Sequence, residues 1–450
     1  MKRLFSALLC AIILLTPLFQ TVSFAQSVSE LSSEYGYLID PAYLPKGGTI
    51  VADATTGAIL WQEDEQILWP TASLAKMMVV YLAYQAMARG DFTEQTEVEV
   101  SEDVAYLSSD SELSNNYMPL GSVFTISELL DLTIIPSSAS AVLLLANQLG
   151  THQEVVWLMN QTARDMGMAN TSYVNVVGAN NDLLLPYLEG LTPGADNVST
   201  AYDQAIFAAH LVRDYPQVLA HSVQPSFVLK PGTEFEELFE SRNLTLPGAY
   251  YAFEGMDGLK TGSTNEAAYN LALTAQQGDT RLVAIVQGAG LWEDWESEGY
   301  RSIIGHVLMS ESFSKYASRV VLPAGEHDID GRRIITTEDL IDTVGDEPLS
   351  FTLLDERVVR VSDRAYLPGF EAPSVAFEDV TVPVEVDQDI PEAEPVDEPT
   401  DPVMQKNIKQ SLITLTLYLI GLLILLLILR ASILRAVRRR IQRDKRRWRG

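Results

Sequence analysis

MDGLKTGSTNEAAYNLALTA, residues 256–275, decides how the rest of the chain is read. Its second half, Ala268 to Ala275, alternates in the manner of a half-buried strand. A second alternating run, Arg281 to Gln287, follows the turn residues QQGD, so the two runs are predicted to be consecutive strands. The same signature recurs near the other end of the lobe, where Gly48 to Leu60 reads TIVAD, a TTG turn and AILW. Between these segments the period changes. Helices are predicted from about Thr71 to Arg89, ended by Gly90, from Ile126 to Leu149, and from Ala201 to Arg213. Strands at both ends with helices between predict an α+β lobe whose antiparallel sheet is assembled from the two ends of the segment.

The first half of the opening stretch carries chemistry. Lys260-Thr261-Gly262 sits where the chain enters a strand. Gly262 leaves backbone room for an extended ligand alongside that strand. Lys260 and Thr261 offer a cation and a hydroxyl, a match for a carboxylate; the plainer reading is a solvated lysine before a turn. Far upstream, TASLAK places Ser73 and Lys76 three residues apart at a helix start, on one face. A serine hydroxyl needs a base within hydrogen-bond reach to become a nucleophile. A lysine serves only when burial or a neighbouring cation lowers its pKa, and Lys260 is the expected cation. The helix start supplies backbone N–H groups for a developing oxyanion. Four letters alone favour a capping serine, and Ser312 to Lys315 repeats the spacing in an ordinary helix.

The two motifs together are more specific. An SxxK near the N-terminus and a KTG ahead of a strand resemble the penicillin-recognising serine enzymes. TASLAKMM, MGMANTSYVNVVG, VSTAYDQAIFAAHLVRDYP and the opening stretch are similar to blocks of the low-molecular-mass penicillin-binding proteins, the serine-type D-alanyl-D-alanine carboxypeptidases. The resemblance runs from about Gly48 to Tyr316. It implies a β-lactamase/transpeptidase-like α+β domain with an antiparallel sheet and a helical lobe. It also implies acyl-enzyme chemistry on peptidoglycan stem peptides, with release of the last D-Ala and acylation by β-lactams. By the same resemblance Ser73 is the nucleophile and Lys76 its base. Lys260 and Thr261 would hold the terminal carboxylate, Gly262 would line the strand, and the N–H groups of Ser73 and Ser263 would form the oxyanion hole. A third family motif, Ser-x-Asn, has its match in PSSASA. Ser137 is the family serine, a proton-relay candidate between the lysines, and Ala139 stands where the asparagine belongs. Alanine cannot replace an amide, and loss of one such donor costs about 10²–10³ in rate.

The ends of the chain read separately. Residues 1–25 form a signal peptide: Lys2 and Arg3, an apolar run, then Ser23-Phe24-Ala25 as the cleavage site. The single cysteine, Cys10, lies within it, so the mature chain carries no disulfide. The catalytic domain is predicted over 30–318 and a small β-rich domain over 319–386, from runs such as RRIITT, LSFTLL and RVVRV. An acidic, proline-rich linker spans 387–409, an uncharged apolar helix long enough to cross a membrane 410–429, and a basic tail 430–450. The basic tail places that end in the cytoplasm and the rest outside it. Two basic residues in the first 25, and ten basic and one acidic after residue 429, turn the overall −29 into −40 for what lies between. A domain so acidic repels nucleic acid. Five scattered histidines show no ligand spacing, so neither a metal nor a cofactor is expected. The four Asn-x-Ser/Thr triplets, at Asn160, Asn170, Asn197 and Asn243, are set aside as chance. The sequence thus predicts a membrane-anchored carboxypeptidase. The alternative is a wall-binding protein of the same fold that turns over poorly, and a secreted β-lactamase ranks third.

Overall fold

Alternation in the two end segments builds one five-stranded antiparallel sheet. The structure is a computed structural model and describes residues 26–380. The strands are β1 (Gly48–Asp53), β2 (Ile59–Glu63), β3 (Met256–Thr264), β4 (Ala268–Gln277) and β5 (Thr280–Ala289), in the spatial order β2-β1-β5-β4-β3. N-terminal and C-terminal strands meet where β1 pairs β5, with Ile50 opposite Ile285. The period of two sends Ile50, Ala52, Val283 and Ile285 to one face of the sheet and Val51, Leu282, Ala284 and Val286 to the other. Helices α1 (Val28–Glu34) and α7 (Gly299–Lys315) cover the second face through Leu31, Ile304, Val307 and Leu308. The first face meets the large helical core, built around α2 (Lys76–Arg89), α3 (Ile126–Ile134), α4 (Ala139–Ala146), α5 (His152–Asp165) and α6 (Ala201–Asp214).

Three expectations about local structure are corrected. The Lys-Thr-Gly triplet lies well inside β3 and not at its entry, because the strand already begins at Met256. The helix expected from Thr71 begins as a 3₁₀ turn, Ala72–Ala75, and becomes α-helical only at Lys76. Gly90 ends it in the left-handed conformation, with φ +83°. The long helix expected from Ile126 to Leu149 is two helices. Pro136 cannot donate to the ladder, Ser137 turns left-handed (φ +66°), and Ser138 restarts the helix by accepting a hydrogen bond from Ala141 N at 3.1 Å.

A small β-rich domain follows directly after α7. Strand β6 (Ala317–Leu322) pairs with β9 (Leu340–Val344). The second sheet runs β7 (Gly325–Ile329), β8 (Arg332–Thr336), β12 (Ser374–Asp379), β11 (Arg357–Arg360) and β10 (Phe351–Leu354). Ile334, Leu340, Val344 and Val358 form its modest core. The segment between β11 and β12 reaches back to the β1–β2 turn: Ile59 N donates to Ala365 O and Leu367 N to Gly57 O, at 3.0 and 2.8 Å. Thr343 Oγ1 donates to Asp53 Oδ2 at 2.7 Å, and Leu367 is fully buried in the helical core. Among the described residues no helix is long and apolar enough to cross a membrane. The expected signal peptide, linker, membrane helix and basic tail lie outside the described residues.

Candidate active site

The 3₁₀ turn carrying Ser73 is wedged between the edge strand β3 and a loop that precedes α6. Lys76 follows at the first position of α2 and is 2% exposed. Its Nζ donates to Ser73 Oγ at 2.8 Å and to the carbonyl of Val177 at 2.7 Å. Burial pushes the Lys76 ammonium down from 10.5 to about 7. The expectation that Lys260 depresses Lys76 is therefore corrected: removal from water does so. Coupling is seen from the other side. Lys260 is held well below its usual range by burial first, then by the charges of Lys76, Arg301 and Arg242.

Backbone contact sets β3 against Ser73. A Cβ added to Gly262 would stand 2.9 Å from the carbonyl of Thr71 and 3.1 Å from Ser73 N, so only glycine permits this approach. Ala72, just before the serine, is held at φ +48°, a conformation that L side chains rarely adopt. Such strain persists where neighbours over-determine the backbone. Here Asn197 does much of that. Its own carbonyl accepts from Thr71 N at 2.9 Å. Its side-chain oxygen accepts from Val174 N and Asn175 N, and its amide donates to Asn175 O. Asn175 in turn accepts from Val177 N and Gly178 N, fixing the carbonyl that faces Lys76. Asn270 ties β4 to the same region by donating to Pro70 O at 2.8 Å.

Three more basic side chains stand near Lys76. Lys260 is buried and its Nζ donates to Thr261 O at 3.0 Å. Arg301, from α7, is fully buried; it donates to Ser263 Oγ at 2.8 Å and pairs with Glu298. Burial holds it down to about 10. Arg242 meets Glu298 at 3.5 Å and lines a cavity of about 610 Å³ shared with Glu112, Ser114, Asn115, Pro136 and Glu240.

Ser137 is 8% exposed, and its Oγ makes no hydrogen bond, so it is bonded to neither lysine. Ala139 is fully buried at the start of α4, its N–H donating to Ser114 O at 2.8 Å. The neighbouring serines are occupied elsewhere. Ser138 caps α4, while Ser140 N donates to Asn115 Oδ1 and its Oγ to Asn116 O. Sequence reasoning did not single out Val177, Asn175, Asn197, Arg242 or Arg301. Asn175 and Val177 lie inside the MGMANTSYVNVVG block, and Asn197 was visible only as a chance glycosylation triplet. Nothing in the local sequence of Arg301 marks it, since it reaches Ser263 from 38 residues away. Among the described residues, no group of three or more His, Cys, Asp or Glu is placed to hold a metal ion.

A family model described as D-alanyl-D-alanine carboxypeptidase matches residues 41–290, more than half of the chain. The chain belongs to this family. Residues 318–378 match a domain of unknown function. Similar curated relatives include D-alanyl-D-alanine carboxypeptidase DacF of Bacillus subtilis, 28% identical over 64% of this chain and 67% of that one. Another is DacC of Escherichia coli, 29% identical over 53% of this chain and 56% of its own. The match thus spans little more than half the length of the Escherichia coli protein. Among solved structures, a peptidoglycan synthesis regulatory factor from Streptococcus pneumoniae aligns at a TM-score of 0.64 with 25% identity. That alignment covers 74% of this chain and 98% of the other. DacD of Francisella tularensis shares the fold at a TM-score of 0.57 and 21% identity, over 77% of this chain and 96% of its own. The family is that of the serine-type carboxypeptidases and penicillin-binding proteins, and the α+β domain followed by a β-rich one is its architecture in this chain.

Proposed function

We propose that the protein removes the terminal D-Ala from peptidoglycan stem peptides through an acyl-enzyme on Ser73. One observation carries the reading: Lys76 Nζ sits 2.8 Å from Ser73 Oγ, buried, with its pKa lowered to about 7. Near neutral pH about half of such lysines are free bases, able to take the hydroxyl proton as Oγ attacks. Oγ bonds to the penultimate D-Ala carbonyl carbon, and its proton passes to Lys76. The N–H groups of Ser73 and Ser263 receive the oxyanion. The C–N bond then breaks, D-Ala leaves with a proton returned through Lys76, and water hydrolyses the ester. Lys260, Thr261 and Arg301 favour the substrate carboxylate; Gly262 lets the peptide backbone lie along β3. Ser137 is the hydroxyl best placed in the sequence motif to relay protons. β-Lactams acylate the same serine. The chain works outside the cytoplasm, held by a helix over residues 410–429 after signal removal, with its C-terminus inside.

A second reading is favoured by Ala139: a wall-binding protein that acylates but deacylates slowly. Incubation with a D-Ala-D-Ala-ended peptide separates the two. D-Ala release that disappears in Ser73→Ala supports the carboxypeptidase. Labelling by penicillin without release supports the second reading, and neither signal in the wild type ends both.

A further inference from the structure

The segment Leu291 to Glu298, LWEDWESE, has no role in the reaction above, yet it is built with care. Ser297 is buried, and its Oγ accepts from Leu291 N at 2.8 Å and donates to Asp294 O at 2.6 Å. This fixed loop holds two large rings outward: Trp295 is 77% exposed and Trp292 41%. Tyr250, at 85%, packs edge-on against Tyr251, whose hydroxyl approaches Gly299 at the start of α7. Rigid exposed rings on an ordered loop mark a contact surface more than a packing accident.

Three features identify the occupant. The rings alternate with exposed carboxylates, Glu293 and Glu296, neither of them in an ion pair among the described residues. Flat apolar faces interleaved with hydrogen-bond acceptors suit pyranose rings, whose faces are C–H and whose edges are hydroxyl and N-acetyl groups. Those same carboxylates, in a stretch 26–429 that carries −40, repel an anionic lipid surface. The rim is also continuous with the cleft. Trp292 packs on Tyr269 at 5.8 Å, and Tyr269 pairs in register with Ser263. Glu298 joins Arg301, which holds Ser263, to Arg242, which lines the cavity.

We infer that Trp292 and Trp295 form a saccharide subsite that holds the glycan chain of the wall polymer while its stem peptide enters the cleft. The occupant's identity rests on the carboxypeptidase reading; glycan binding does not need turnover. The test uses the full-length chain in detergent. Glycan chains stripped of their stem peptides are titrated while tryptophan fluorescence is followed. Saturable binding is expected, at least tenfold weaker in Trp295→Ala and unchanged in Trp157→Ala, an exposed indole on α5 outside the rim. The ratio of kcat/KM on glycan-linked over glycan-free stem peptide should also fall about tenfold in Trp295→Ala. No glycan binding by the wild type, equal binding by Trp295→Ala, or binding of anionic vesicles in place of glycan overturns the subsite. Failure of the wild type to hydrolyse the glycan-free peptide counts against the catalytic reading alone, and the fluorescence titration still decides the subsite.

Discussion

Acylation of Ser73 should follow the titration of Lys76. With its pKa lowered from 10.5 to about 7, Lys76 is neutral in about a tenth of molecules at pH 6, half at pH 7 and nine tenths at pH 8. The second-order rate constant for labelling by a fluorescent penicillin, measured by stopped flow, should rise about tenfold from pH 6 to 8 and then level. A lysine at 10.5 would instead give a rate still climbing about tenfold per pH unit at pH 9. That result, or a flat profile from pH 6 to 8, would refute the assignment of the base. The same shift has a stability consequence of definite sign. Above pH 10.5 neither the folded nor the unfolded chain protonates Lys76. Between 10.5 and about 7 only the unfolded chain does, so the wild type loses about 1.4 kcal/mol of stability per pH unit as pH falls. Below about pH 7 the loss is complete, at about 5 kcal/mol. Lys76→Met removes that term and leaves the Val177 carbonyl unpaired, at about 1–3 kcal/mol. The variant should be inactive yet more stable by about 2–4 kcal/mol at pH 7, read from urea unfolding. A less stable variant would show that the lysine is not held near neutrality.

Three further outcomes follow from the site. Ala139→Asn should raise kcat for D-Ala release by tenfold or more, since one fixed donor is worth about 10²–10³ in rate; an unchanged kcat removes Ala139 as the cause of slow turnover. Asn197→Ala strips partners from Val174 N, Asn175 N and Asn175 O. It should cost about 3 kcal/mol and slow acylation, and a ΔΔG below about 1 kcal/mol would show that the loop stands without it. Gly262→Ala drives a methyl against the Thr71 carbonyl, so penicillin labelling should fall by more than about 100-fold while the circular dichroism spectrum is kept; near-normal labelling would mean that β3 yields easily.

Much of this architecture is legible because it rests on periodicity. Alternation in β1, β4 and β5 determines which residues face each helical layer, and Gly90 marks its helix end. The limits are equally physical. The 3₁₀ turn at Ser73 is forced by contacts with Gly262 and Asn197 from remote segments, and no local propensity reports it. Pro136 marks the break between α3 and α4, inside an apolar run whose pattern is otherwise that of one helix. The serines of IIPSSASAVL look alike in sequence and divide in space. Ser138 caps a helix and Ser140 bonds the Asn115–Asn116 segment, while Ser137 alone is left without a partner. Arg301 and Arg242 enter the site only through tertiary packing. The strap from Ala365 to Phe370 has no period at all, and its bonds to the β1–β2 turn could not be read from sequence.

The most direct test of the central claim is the location of the covalent adduct. After incubation with benzylpenicillin, intact-protein mass spectrometry of the wild type should show one added β-lactam, and peptide mapping should place it on Ser73. Ser73→Ala should carry none. An adduct that persists in Ser73→Ala, or maps to Ser137 or another residue, would contradict the account.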